Sequence, residues 1–79
     1  MEYNVVRKGK RVTVWDMRYG VGIRFIEGDT LQRYSHEVVY VGNFSTPGDE
    51  AQLAIINQCD RELTEYAAEK WPKEFQELK

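Results

Sequence analysis

The sequence predicts an α+β domain in which an antiparallel β-meander of about four strands and two hairpins precedes one long amphipathic helix. Short stretches of alternating apolar and polar residues, separated by glycine-containing turns, occupy residues 1–43. A proline-containing helix start follows at residues 45–50, and apolar residues then recur every three or four positions. We expect residues 1–43 to form the sheet, residues 46–71 the helix and residues 72–79 a short helical tail of a single domain.

The first two predicted strands, residues 3–6 and 12–17, flank a strongly basic turn. Gly9 can supply the positive φ angle that a tight hairpin needs. In the second strand Val12 and Val14 alternate with Trp15 and Met17, so both faces of this strand are fairly apolar. One face is expected to meet the helix, and the other is expected to be only partly exposed to water.

The third predicted strand, residues 21–26, follows a bend at residues 19–22 and alternates apolar side chains with Arg24. Gly28 lies first of the two central positions in the turn at residues 27–30, which suits a type II′ hairpin. The fourth predicted strand covers residues 31–41 and places His36 on one of its faces.

The helix has the clearest local signals in the chain. Thr46 can cap its first turn, and Pro47 occupies the first helical position, where a missing N–H costs nothing. An apolar stripe follows at spacings of three and four, and it contains Leu53, Ile56, Cys59, Leu63, Tyr66 and Ala67. Pro72 is expected to break the helix, because the residue before a proline avoids the α conformation.

The predicted helix is longer than the sheet that should cover it. Its 24 residues from Pro47 to Lys70 would span about 36 Å, whereas a six-residue strand spans roughly 20 Å. The C-terminal apolar residues therefore need cover, either from the tail folding back or from a second chain, as a homodimer or with a foreign protein. The candidate interface residues on the helix and tail are Leu63, Tyr66, Trp71 and Phe75.

The sequence indicates binding rather than catalysis. With one histidine and one cysteine, the chain cannot build a disulfide or a paired-thiolate zinc site. Residues 20–22 lack the longer glycine fingerprint and the lysine of a phosphate loop. No acid pair or activated nucleophile can be identified from the spacing, so we expect no enzymatic activity, no metal and no cofactor.

Charge is divided unevenly along the chain. Residues 1–24 carry six basic and two acidic residues, a net +4, and residues 44–79 carry four basic and eight acidic residues, a net −4. The candidate partner-binding residues on the basic hairpin and sheet face are Arg7, Lys8, Lys10, Arg11, Trp15, Arg18, Tyr19 and Arg24. Interleaved basic and aromatic residues on a sheet favour single-stranded nucleic acid, whereas a solvated hairpin tip is the simpler interpretation.

The order of elements, a curved antiparallel sheet followed by a C-terminal helix, resembles the layout of small single-strand-binding coactivator domains and of small phage-encoded inhibitors. That layout alone assigns no functional residues. Two hypotheses follow. The first is a protein-binding module, such as a phage or mobile-element accessory protein that inhibits a host complex. The second is a single-stranded nucleic-acid-binding protein. No signal peptide or membrane-spanning stretch is recognisable, so a cytoplasmic location without membrane partners is expected.

Overall fold

The computed structural model describes residues 3–29, 36–41 and 49–76. Within these ranges four strands form one antiparallel sheet, and one helix packs against one face of it. The elements are β1 (Tyr3–Lys8), β2 (Arg11–Asp16), β3 (Val21–Ile26), β4 (Glu37–Tyr40) and α1 (Asp49–Lys70). The strands lie in the order β1-β2-β3-β4, which confirms the predicted meander followed by a C-terminal helix.

Two glycines allow the chain to reverse between the first three strands. Gly9 has φ 62° in the two-residue loop between Lys8 and Arg11, as the sequence predicted. Gly20 has φ 68° and closes the turn at residues 17–20, which is the bend expected from the sequence. Because positive φ angles carry no steric penalty in glycine, both reversals form without backbone strain.

The connection after β3 differs from the predicted two-residue hairpin. The Asp29 N–H donates to the Ile26 carbonyl over 3.3 Å, and Gly28 has φ 95°. Gly28 is therefore the second central residue of this turn, where a type II turn requires positive φ. Of the predicted strand at residues 31–41, β4 occupies Glu37–Tyr40, with His36 and Val41 outside it. Residues 31–35 lie outside the described ranges.

The core lies between α1 and one face of the two central strands. Val12 and Val14 of β2 and Val21, Ile23 and Phe25 of β3 supply the sheet side. The helix and tail contribute Cys59, Leu63, Ala67, Ala68 and Phe75. Alternation along each strand sends every second side chain to this face, so the apolar pattern that predicted the strands also selects the face that α1 covers.

The helix ends where the sequence predicted, and the described part of the tail begins with a turn at residues 72–75 that leads into 3₁₀ geometry at Gln76. Lys70 is the last helical residue. The N–H groups of Glu74 and Phe75 then donate to the Trp71 carbonyl over 3.2 and 3.3 Å, which makes a turn after Pro72. The predicted cap at Thr46 and Pro47, like the last three residues of the tail, lies outside the described ranges.

This turn returns the tail to the sheet, so the C-terminal end of α1 is covered by its own chain. The rings of Trp71 and Phe75 pack edge-on against Phe25, with centroids 5.1 and 5.0 Å away. Of the ways to cover this end that the sequence left open, the structure shows the tail folding back. In the N-terminal half of α1 none of residues 50–58 is buried and Leu53 is 60% exposed, although Ile55 and Ile56 are partly buried against the core.

Candidate functional site

The face of the sheet that points away from α1 is the largest surface on which the predicted binding residues meet. We call it the outer face. Strand pairing aligns Asn4, Trp15, Gly22 and Val39 in one row and Val6, Thr13, Arg24 and Glu37 in the next. A third row contains Lys8, Arg11 and Ile26. No described element covers this face.

Trp15 packs on the backbone of β3 on the outer face. A Cβ atom built on Gly22 would be 2.8 Å from Cε3 of the indole and 2.9 Å from the Val14 carbonyl oxygen. Only glycine leaves room for this contact, because Cβ atoms are essentially never found that close to other atoms. Gly22 therefore lets the indole lie close to the sheet, where Trp15 is half-buried.

Apolar side chains lie in each row of the outer face. Val39, which pairs with Gly22 in the row of Trp15, is half-buried. Val6, in the next row, is 46% exposed, and Ile26, in the third row, is 38% exposed. Single exposed apolar residues are common on proteins, but several on one uncovered face together with an aromatic ring are typical of an interaction surface.

The predicted basic cluster borders one end of the outer face, although only part of it is available to a partner. Lys8, Lys10 and Arg11 are exposed and form no ion pair with any described residue. Arg7 points to the α1 side instead, where it forms an ion pair with Glu27. The structure thus brings three of the four predicted hairpin cations to the same end of the sheet.

The other predicted cations are not part of this cluster. Arg18 and Tyr19 lie in the turn at the opposite end of β2, where the guanidinium carbon of Arg18 is 5.3 Å from the centre of the Tyr19 ring. Arg24 is on the outer face, but its Nη2 contacts the Glu37 carboxylate at 2.8 Å. These pairs reduce the positive charge that the outer face presents.

The carboxylate of Asp16 holds the Arg18 side chain in place. Its carboxylate is completely buried and accepts hydrogen bonds from the Arg18 backbone N–H, Nε and Nη2 at 3.0, 3.1 and 2.8 Å. The side-chain hydrogen bonds from Arg18 lower the pKa of Asp16. Burial raises the pKa of the neighbouring Cys59 thiol to about 11, with the Asp16 charge adding to the effect. Sequence reasoning missed this pair, although an Asp-x-Arg turn before a glycine is a usable signal.

On the α1 side, a shallow open cavity of about 230 Å³ lies between β1 and the helix. We call it the acidic groove. Tyr3, Glu62, Glu65, Tyr66 and Glu69 line it, and the two tyrosine rings meet edge-on with centroids 4.8 Å apart. The spacings of three and four between these glutamates were visible in the sequence, but only the packing of β1 beside α1 adds Tyr3 to them.

His36 links the segment before β4 to α1. Its Nε2 lies 2.7 Å from Oδ1 of Asp60, and the Thr64 hydroxyl donates to the same oxygen over 3.1 Å. Asp60 and Thr64 thus approach the same ring nitrogen, whereas a nucleophile–base relay needs one partner on each nitrogen. The cluster is suited to holding the helix against the sheet. Within the described ranges, no three His, Cys, Asp or Glu side chains are grouped to bind a metal ion.

The four predicted interface residues of the helix and tail have different positions. Leu63 and Phe75 are 0% and 1% exposed, because the tail turns back onto the sheet. Their assignment to a partner interface is therefore corrected: both are core residues of the chain itself. Trp71 is half-buried, and its indole N–H donates to Glu27 over 2.9 Å. Tyr66 is also half-buried and lines the acidic groove.

Comparisons with protein-family models, with curated proteins and with solved structures find no match to this chain. In the described part of the chain, no helix is both long enough and apolar enough to cross a membrane. The geometry of the surfaces described above is therefore the basis for assigning a function.

Proposed function

We propose that the chain is a non-enzymatic binding module that docks a partner protein on the outer face. The observation that carries this proposal is the indole of Trp15, which packs closely against Gly22 on the sheet face that α1 leaves uncovered. Trp and Arg are the residue types that most often dominate binding energy at protein interfaces. Burying one further large apolar side chain contributes about 1.5–3 kcal/mol.

The charges around the outer face indicate the chemistry of the partner. Lys8, Lys10 and Arg11 form a basic rim at one end, and no described residue forms an ion pair with it. Ile26 lies in the same row as Lys8 and Arg11, and Val6 lies one row nearer to Trp15. A partner with an apolar contact surface and acidic residues beside it would match this pattern. Such complementarity chiefly raises the association rate and the specificity of a complex.

This proposal is tested by recovering partners of the tagged full chain from its source cells. Ile26→Asp and Trp15→Ala alter the outer face, and Leu53→Asp introduces the same charge on α1 as a control, at a residue that is 60% exposed against 38% for Ile26. We expect a specific partner to be recovered with the wild type and with Leu53→Asp but lost with both outer-face variants. Circular dichroism confirms that each variant is folded. Equal recovery by all variants would refute the outer face as the docking site.

A second candidate function is binding of single-stranded nucleic acid on the same face. It is favoured by the position of α1, whose carboxylates lie on the far side of the sheet from Trp15 and the basic rim. A base could stack on the indole, and such stacking is worth about 1–3 kcal/mol per base. Arg24 would add charge only by giving up its pairing with Glu37.

Oligonucleotide binding at several salt concentrations distinguishes the two functions. If Lys8, Lys10 and Arg11 each neutralise one phosphate, the logarithm of affinity should fall with the logarithm of salt concentration with a slope of about −2. Replacing all three with alanine should remove both the affinity and the slope. An absence of binding at low salt would eliminate this candidate. The phage inhibitor role and the cytoplasmic location stay predictions.

A further inference from the structure

We propose that two copies of the chain pair antiparallel along β1, so that the two sheets join into one and Arg7 of each copy enters the acidic groove of the other. This surface is separate from the outer face and does not depend on the proposed function. Three features of β1 support this pairing. No described strand pairs with its outer edge, alternate backbone groups point to that edge, and the pairing brings opposite charges together.

β1 is an edge strand that has few of the usual protections against pairing. It pairs continuously with β2 over six residues, contains no proline and has no bulge. Val5 and Val6 at its centre are 40% and 46% exposed, and its cations are confined to one end. Natural edge strands are usually shortened, bulged, covered or charged along their length, so β1 retains a surface that another strand can extend.

The register of the sheet determines which residues of β1 face this edge. The Lys10 carbonyl accepts from the Glu27 N–H over 2.7 Å, so Lys10 is directed towards β3. Arg11, the next residue, therefore exchanges its backbone hydrogen bonds with Lys8, and alternate residues follow the same pattern. The N–H and C=O groups of Tyr3, Val5 and Arg7 consequently point to the free edge.

These three residues are complementary to a second copy of themselves. A twofold axis at Val5 pairs Val5 with Val5 of the other copy and Tyr3 with its Arg7. Both members of each pair lie on the α1 side, where Tyr3 lines the acidic groove. The six-residue strand is thus self-complementary without a change of register.

The negative charge of the acidic groove favours Arg7 of a second copy as the group that enters it. Glu65 and Glu69 of the acidic groove form no ion pair with any described residue, and the Glu62 carboxylate accepts from Arg18 over 3.4 Å and from the Gln58 amide over 3.2 Å. A guanidinium group placed beside Tyr3 would meet these carboxylates and the two tyrosine rings. Arg7 would leave its exposed ion pair with Glu27, and exposed pairs of this kind contribute little to stability.

Single cysteines in β1 test the pairing directly. In the proposed register the Cα atoms of Val5 and its symmetry mate would be about 5.5 Å apart, which suits a disulfide. Val6 would face Asn4 of the other copy, so two Val6 positions would be about 8 Å apart, which is too far. With oxidised glutathione as oxidant, Val5→Cys should form a covalent dimer about tenfold faster than Val6→Cys.

The wild type is the background for this test, because its only cysteine, Cys59, is 2% exposed and should not crosslink. A non-reducing gel measures the covalent dimer. Faster crosslinking of Val6→Cys, or equal rates for the two variants, would overturn the Val5-centred pairing. A wild type that sediments as a monomer at millimolar concentration would overturn it as well.

A charge swap tests the contact with the acidic groove. Arg7→Glu and Glu65→Arg should each weaken the dimer about tenfold, and the double variant should recover most of the affinity. Sedimentation equilibrium measures the dissociation constants. Ile26→Asp on the outer face should dimerise like the wild type. The dimer and the proposed function are therefore tested independently, because either can fail while the other stands. Equal dissociation constants for all these variants would refute the role of Arg7.

Discussion

Asp16 is the residue at which a buried charge organises local structure. Its backbone carbonyl accepts hydrogen bonds from the N–H groups of Tyr19 and Gly20, and its carboxylate is bound by Arg18. The end of β2 and the turn that follows are thus held by one side chain with no exposure to solvent. Removing its charge would leave the turn with a weaker acceptor at a position that water cannot reach.

We therefore expect Asp16→Asn to lower the free energy of unfolding at neutral pH by about 1–3 kcal/mol. Because Arg18 lowers the pKa of Asp16 in the folded state, this contribution is present above the unfolded pKa and is lost as the pH falls through the folded pKa. Urea denaturation of wild type and variant from neutral to acidic pH measures the difference, which should narrow in acid. Exposed Glu37→Gln is the control. A constant difference at all pH values would contradict this account.

At the scale of elements, three aromatic rings decide how α1 ends. Phe25 is the strand residue that receives both Trp71 and Phe75, and Trp71 is further held by its hydrogen bond to Glu27. The opposite end of α1 lacks such an anchor, since Leu53 is 60% exposed. The stability that α1 gains from packing therefore comes mainly from its C-terminal half and the turn after it.

Because of this asymmetry, we expect truncation of an apolar side chain to lower the free energy of unfolding more at Phe75 than at Leu53. Phe75→Ala should lower the free energy of unfolding by about 3–5 kcal/mol because it opens a cavity in the core. Leu53→Ala should change it by less than about 0.5 kcal/mol. Thermal and urea unfolding followed by circular dichroism measure both. Similar costs at the two positions would mean that the N-terminal half of α1 is buried to the same degree as the tail.

At the scale of the whole molecule, the fold places its two charged regions on different layers. The free cations lie at one end of the sheet, and the unpaired glutamates lie beside α1. Among the described residues, the positive charge of residues 1–24 is only partly neutralised by ion pairs, which join Arg7 to Glu27, Arg18 to Asp16 and Glu62, and Arg24 to Glu37. Both the outer face and the acidic groove therefore remain charged in the folded molecule.

The core joins α1 and the tail to β2 and β3, and β1 and β4 are held to these strands by pairing. We therefore expect the chain to unfold in a single transition. Trp15 reports on the outer face and Trp71 reports on the tail. Trp71→Phe and Trp15→Phe leave one tryptophan each, and we expect the fluorescence midpoint of each variant to coincide with its own midpoint from circular dichroism. A tail that separates before the sheet would instead give an earlier fluorescence transition in the variant that retains Trp71.

The amino-acid sequence by itself determined the elements and their breaks. Gly9 and Pro72 act through the steric limits of their own backbones, and alternation along the strands depends only on neighbouring residues. Only the tertiary structure decided that Phe75 returns to Phe25, that Trp15 covers Gly22 and that Tyr3 joins the glutamates of α1. These contacts join residues distant in the chain, and their formation depends on strand register and on the sheet face that the helix occupies, which local sequence patterns do not specify.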